Sequence, residues 1–324
     1  MHQPLTLTLL ADQPLLVALV AVVLEMVLPL PASVRPSALV PLLERLARKV
    51  NYRQSPPAQQ WVAGLLTPLV VLIPSVAGCW ALRNLTLSET LFDLLLLCWL
   101  LEGRPLRQQL AGMLPLLRAD KLVLARRQLS PLVRRETDRL SLMGICKATS
   151  EQLILRWSGQ WACVLFWYLV AGIEAALVIR LLQLMTQAFS VKLPRQRLFG
   201  EPTATLYRVL SGLPAILNTL VLGMLPGGGH ALRAAWRARR DWPGGAQGML
   251  VAAVAGGIGL RLGGPRFYAG EKVRYPILGG GPGGGAEPQA DSPLRVRSRL
   301  RWLAAIWLLL SLLMEGLWLY VYTR

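Results

Sequence analysis

Two carboxylates, Glu136 and Glu151, are the side chains best placed to do chemistry in this sequence. Both lie in an arginine-rich stretch between apolar runs. Metal-assisted phosphate chemistry needs oxygen ligands on the polar side of a membrane, and these two residues are the candidates for a catalytic role. Paired with nearby arginines, they would instead be ordinary helix-surface charges. A second candidate is the run RLGGP at 261–265, where Gly263 and Gly264 would let backbone approach an anion beside Arg261. Arg261, flanked by apolar residues, needs a partner: a ligand, a headgroup or a carboxylate. The chain has no Walker A loop, no GxGxxG after a strand and no HExxH. Histidine occurs only at positions 2 and 230, which argues against zinc and against imidazole acid–base chemistry. Cys79, Cys98, Cys146 and Cys163 form no CxxC pair and read as small hydrophobes. No metal site is expected from protein side chains alone.

The elements that must position these residues are membrane helices. The chain is 54% hydrophobic and only 16% charged, with the apolar residues in blocks. A soluble domain carries about a quarter charged residues, so this pattern predicts an all-α, polytopic integral membrane protein whose partner is the lipid bilayer. The formal net charge of +18 flanks the apolar runs, which favours positive-inside anchoring over nucleic-acid binding. The sequence predicts about six transmembrane helices. Asp12 and Glu25 fall inside the first apolar run and should face protein or water. Residues 38–53 form an amphipathic interfacial helix. Trp61 to Leu82 is an uncharged span, followed by a short run from Leu87 to Leu101 with Glu89 and Asp93 near its start. A long helical loop, 102–159, holds eleven Lys and Arg between positions 104 and 156 and belongs in the cytoplasm. Spans follow at Ala162–Leu182 and Val209–Leu225, joined by a basic 183–208 loop. The glycine-rich run 248–264 is not expected to cross. Residues 1–278 thus make one membrane domain, 279–300 a Gly/Pro-rich and Arg-rich linker, and 301–324 a terminal span.

Several pieces together resemble the CobD/CbiB family of cobalamin biosynthesis, in order from about residue 15 to 281. They are ARRQLSPLVRRETDRLS (125–141), Glu151, LFWYLVAG (165–172), Phe199-Gly200, Pro214-Ala215 and VAAVAGGIGLRLGGPRFYAG (251–270), then Pro276 and Leu278-Gly279. The resemblance implies a bacterial inner-membrane enzyme that joins an aminopropanol phosphate to a carboxylate of adenosylcobyric acid, with ATP and magnesium. It implies Glu136 and Glu151 as catalytic carboxylates. Arg135, Arg180, Arg261, Gly263, Gly264 and Tyr268 would bind the anionic substrate, a corrinoid or a phosphate. The departures are also specific. Where the family carries acidic and amide residues, this chain has Leu155, Arg156, Gly159, Thr186, Tyr207 and Arg208, and Gln160 replaces the glycine that closes the first of those motifs. These are losses of magnesium ligands, so the sequence predicts a retained scaffold without the ATP-dependent reaction. The alternative reading is a non-catalytic regulatory membrane protein that resembles the AmpE type.

Overall fold

A computed structural model describes residues 14–28, 30–51, 55–240, 245–268, 270–280 and 284–322. His2 and Asp12 lie outside the described residues. The helices in chain order are α1 Pro14–Val27, α2 Val40–Val50, α3 Pro57–Leu85, α4 Glu89–Leu100, α5 Gly103–Arg118, α6 Leu122–Leu129, α7 Leu142–Trp157, α8 Cys163–Ala188, α9 Arg197–Leu222, α10 Gly228–Ala238, α11 Ala246–Gly257 and α12 Ser292–Tyr322. Four three-residue strands lie between the last two helices: β1 Arg261–Gly263, β2 Arg266–Tyr268, β3 Glu271–Val273 and β4 Ile277–Gly279. The chain is an all-α membrane protein with this small strand insert.

It divides into two compact units. The first comprises Met1–Arg104, Gly159–Tyr207 and Trp307–Arg324. Here α8 is the hub, packing against α1, α2, α3 and α4. Helix α3 presents an apolar outer stripe: Trp61, Leu65, Leu69, Ile73 and Trp80 are all exposed. A stripe of that size fits lipid and not water. The α3–α4 hairpin is closed by Arg83, which pairs with Asp93 at 3.0 Å and Glu89 at 3.1 Å, so the charges at the start of α4 are neutralised locally. Glu25 is buried, as a carboxylate in an apolar run should be, and accepts from the backbone N–H of Arg104. That N–H is one of the unsatisfied donors in the first turn of α5, and an anion there is favoured by the helix dipole. Within α8 the helix breaks at Ala171–Gly172, where Gly172 has φ +79°. Only glycine takes that conformation cheaply, so the kink is written in the AG of LFWYLVAG.

The second unit comprises Pro105–Ser158 and Arg208–Ile306. Its α5–α6–α7 layer closes over Met113, Leu117, Ala125, Leu129, Val133, Ile145, Cys146 and Ala148. Helix α7 is capped by the Ser141 hydroxyl, which accepts from Gly144 N–H at 3.3 Å. Helices α10 and α11 pack closely through glycine and alanine: Gly256 approaches so near that an added Cβ would lie 2.6 Å from that of Ala234. Antiparallel β1–β4 pairs Leu262 with Leu278, and antiparallel β2–β3 pairs Phe267 with Lys272. The β2–β3 hairpin is therefore nested inside the β1–β4 pair.

The lengths and bounds of the elements refine the linear reading. Among the described residues, three helical runs have the length and composition to cross a membrane: Pro57–Leu85, Leu142–Ala188 and Arg197–Leu222. Helices α4 and α11 have 12 residues each, about 18 Å of helix at 1.5 Å per residue, short of a hydrocarbon core of about 30 Å. The basic 183–208 segment is mostly helix, with α8 running to Ala188 and α9 starting at Arg197. Beyond the linker's first residues, Ala286 N–H donates to Gly259 O at 2.8 Å and Arg261 N–H to Ala286 O at 3.0 Å, and α12 already begins at Ser292.

Candidate anion-binding site

The second unit holds a buried charge cluster built from three separate pieces of sequence. Glu151 lies on the enclosed α7, three residues after the core residue Ala148, so the helix period turns it inward. It is 3% exposed. Arg135 reaches it from the loop before α7, with Nη2 3.3 Å from Oε2. Arg266 on β2 brings Nη2 to 2.9 Å from Oε1. The backbone N–H of Gly263 donates to the same Oε1 at 2.8 Å. Gly263 has φ +79°, and a Cβ there would sit 2.2 Å from the carbonyl oxygen of Pro276. Glycine is thus what lets β1 turn its N–H onto Glu151.

One carboxylate faces two guanidiniums, so the cluster carries a net charge of about +1 in a dry environment. The aromatic side supports the cations. The Arg266 guanidinium lies 4.4 Å from the ring centroid of Tyr275, whose ring is 6.4 Å from that of Tyr268. Burial lowers the Arg135 guanidinium below its usual range; Glu151 opposes this and the neighbouring Arg266 adds to it. Burial acts on Arg266 in the same direction but is outweighed by Glu151, Tyr268 and Tyr275, and its affinity for the proton rises. The Tyr275 phenol is pushed up to about 12, chiefly by burial and then by Tyr268.

The other expected residues distribute as follows. Glu136 is exposed; its carboxylate accepts from Gly270 N–H, and its own N–H donates to Phe267 O at 2.9 Å, which fastens the Arg135 loop to the β2–β3 hairpin. Tyr268 is buried beside Arg266. Gly264, φ +91°, follows Gly263 on an open side where an added Cβ meets nothing within 4 Å. Arg261 does not join Glu151. It pairs with Glu287 at 3.4 Å, and Glu287 also holds Lys147 at 2.9 Å. Arg180 belongs to the first unit, where it is fully buried on Glu102 and donates to Gln183 Oε1 at 2.6 Å. Ser37 in turn donates to Glu102 at 2.5 Å. Arg266 and Tyr275 are members of the cluster that the linear reading did not single out, as it did not single out Glu102 and Glu287, the partners of Arg180 and Arg261. The signal for Arg266 was present, since it follows RLGGP directly.

Magnesium and ATP, which the resemblance implies, need carboxylate oxygens alongside the phosphates. Glu151 is consumed by two arginines and a backbone N–H, and Glu287 by Lys147 and Arg261. Among the described residues no group of three His, Cys, Asp or Glu side chains comes together. As arranged, these side chains do not fit magnesium–ATP.

The fold and this cluster define a polytopic helical membrane protein with an internal arginine–glutamate site. Comparison with known sequences identifies the group. The family model described as CobD/Cbib protein matches residues 18–293, and the chain belongs to the CobD/CbiB family. A cobalamin biosynthesis protein CobD from Chromobacterium violaceum is 31% identical over 278 residues, covering 85% of this chain and 86% of that protein. One from Stutzerimonas stutzeri is 29% identical over 259 residues, covering 79% of this chain and 83% of that protein. A cobalamin biosynthesis protein CbiB from Salmonella typhi is 30% identical over 184 residues, covering 55% of this chain and 58% of that protein. No solved structure matches the chain.

Proposed function

We propose that this chain works in cobalamin biosynthesis at a bacterial inner membrane. Its place is the step that attaches aminopropanol phosphate to adenosylcobyric acid, and it holds an anionic reactant of that step without forming the amide bond itself. The family relationship supports the pathway. The observation that carries the binding role is the Arg135–Glu151–Arg266 cluster, where two buried guanidiniums share one carboxylate. A phosphate or carboxylate arriving beside them gains charge-assisted hydrogen bonds in a low-dielectric setting. Glu151 acts as the positioning residue, fixing both guanidiniums and the β1 backbone. The reading that the ATP-dependent reaction is lost rests on Leu155, Arg156, Thr186, Tyr207 and Arg208 at positions where the family is acidic or amide.

The test uses the full chain in detergent with adenosylcobyric acid, aminopropanol phosphate, ATP and magnesium. Binding of the corrinoid or the phosphate is expected, measured by absorbance titration and calorimetry, with no amide product by mass spectrometry. R135Q should weaken binding about tenfold, the loss of one charge-assisted contact. Product formation would overturn the non-catalytic part. Failure of the well-folded chain to bind either compound would overturn the binding part.

A further inference from the structure

We propose that α10 is a docking surface for anionic phospholipid headgroups, lying in the plane of the membrane surface. This rests on a different part of the molecule from the binding role above. Two faces of the helix have opposite compositions. Gly228, Ala231, Ala234, Ala235 and Ala238 are buried and pack on α11. The outward face carries Leu232, 38% exposed, and Trp236, 63% exposed, one turn apart. Arg233, Arg237 and Arg240 are exposed beside them. Small residues pin the inner face at close range, so the helix cannot roll to hide its tryptophan.

The position of α10 in the chain brings it to a membrane boundary. Membrane-length α9 ends at Leu222 and α10 begins at Gly228. The turn between them is tight: Gly228 N–H donates to Leu225 O at 2.8 Å, and an added Cβ on Gly223 would lie 2.8 Å from the Leu232 side chain. The start of α10 is therefore held against the end of a span. Residues Val209, Leu213, Ile216, Leu220 and Met224 carry an exposed apolar surface up to that turn.

An exposed tryptophan and leucine with flanking arginines is the composition of an interfacial helix. The indole is amphipathic and sits at headgroup level, and the guanidinium fork matches a phosphodiester. Arg239 is already stacked 3.4 Å from the Trp236 ring and donates to Trp236 O at 3.1 Å, which orders the indole, while Arg233 donates its Nε to Gly229 O at 3.0 Å and stays exposed. Charge complementarity selects the occupant: an anionic headgroup such as phosphatidylglycerol, in preference to a zwitterionic one.

The experiment reconstitutes the full chain in nanodiscs of phosphatidylcholine doped with one brominated lipid, either phosphatidylglycerol or phosphatidylcholine, at equal mole fraction. The Trp236 contribution is the difference between wild-type and W236F fluorescence. Quenching of this component by both lipids is expected, with brominated phosphatidylglycerol about fivefold more effective at low salt, the equivalent of one arginine's attraction to an anionic surface. The preference should fall toward one in high salt. It should also vanish in R233Q/R237Q/R240Q. If that variant does not insert, the salt titration of the wild-type chain reads the same quantity. Absence of quenching overturns the proposal, and absence with a dimer in the disc assigns the face to a second copy of the chain. Equal, salt-independent quenching by both lipids overturns the anionic selectivity.

Discussion

Glu151→Gln removes a carboxylate that two buried guanidiniums share. The carboxylate is 3.3 Å from Arg135 and 2.9 Å from Arg266, and all three side chains are at most 8% exposed. The amide can still accept from Gly263 N–H, so the change isolates charge. The cluster goes from about +1 to +2 with no added solvent. Breaking a buried pair by removing one partner costs about 3–5 kcal/mol. For a domain of about 150–250 residues that is a fall in Tm of roughly 6–20 °C. The assay is scanning fluorimetry of the purified chain in detergent, with size-exclusion chromatography to confirm a single species before heating. A second variant makes the argument charge-specific. R135M/E151Q returns the cluster to about +1 and should recover more than half of the lost Tm, although it removes more native contacts than E151Q alone. A single variant within about 1 °C of wild type, below what even 1 kcal/mol would produce, would refute the view that Glu151 organises the site. A double variant no better than E151Q would refute the charge explanation.

Two further outcomes follow from the same geometry. Gly263→Ala must place a Cβ 2.2 Å from a backbone oxygen and hold alanine at φ +79°, so it should lose at least about 1–3 kcal/mol and loosen the β1–β4 pair, read as a lower Tm and faster proteolysis near residue 276; unchanged values would mean the strand shifts freely. The Tyr275 phenol titrates near 12 in the fold and near 10 when unfolded. Between those values the folded state binds more protons than the unfolded state, so stability falls as pH rises through this window and is unaffected below it. Y275F should remove one of the late components of the phenolate absorbance change and flatten the stability loss above pH 10; an absorbance curve identical to wild type would contradict the buried placement.

The membrane character, the helical class and the arginine-rich segment ahead of α7 were legible in residue types alone. Long uncharged runs such as 61–82 have one physical solution, a helix that satisfies its own backbone in lipid. Glycine was only partly informative: RLGGP was singled out as a place of close backbone approach, whereas the break at Gly172 inside the expected span 162–182 shows only in the fold, where φ is +79°. What a linear reading could not supply was pairing. Arg261 and Arg180 looked like companions of Glu151 because all three match the family pattern. The fold instead gives Arg261 to Glu287 and Arg180 to Glu102. Charged partners separated by 26 and 78 residues leave no periodic trace.

The opening pair of carboxylates shows where the division lies. From sequence, Glu136 and Glu151 were equals, two acids among arginines with a catalytic role open to each. The amino-acid order determined that both would lie near α7 and that α7 would be a helix. Only the tertiary structure decided that Glu136 stays at the surface as a fastener of the β2–β3 hairpin, while Glu151 is enclosed under two guanidiniums and a backbone N–H. The reason is that burial and charge compensation are sums over long-range neighbours, and those neighbours are chosen by packing, not by position along the chain.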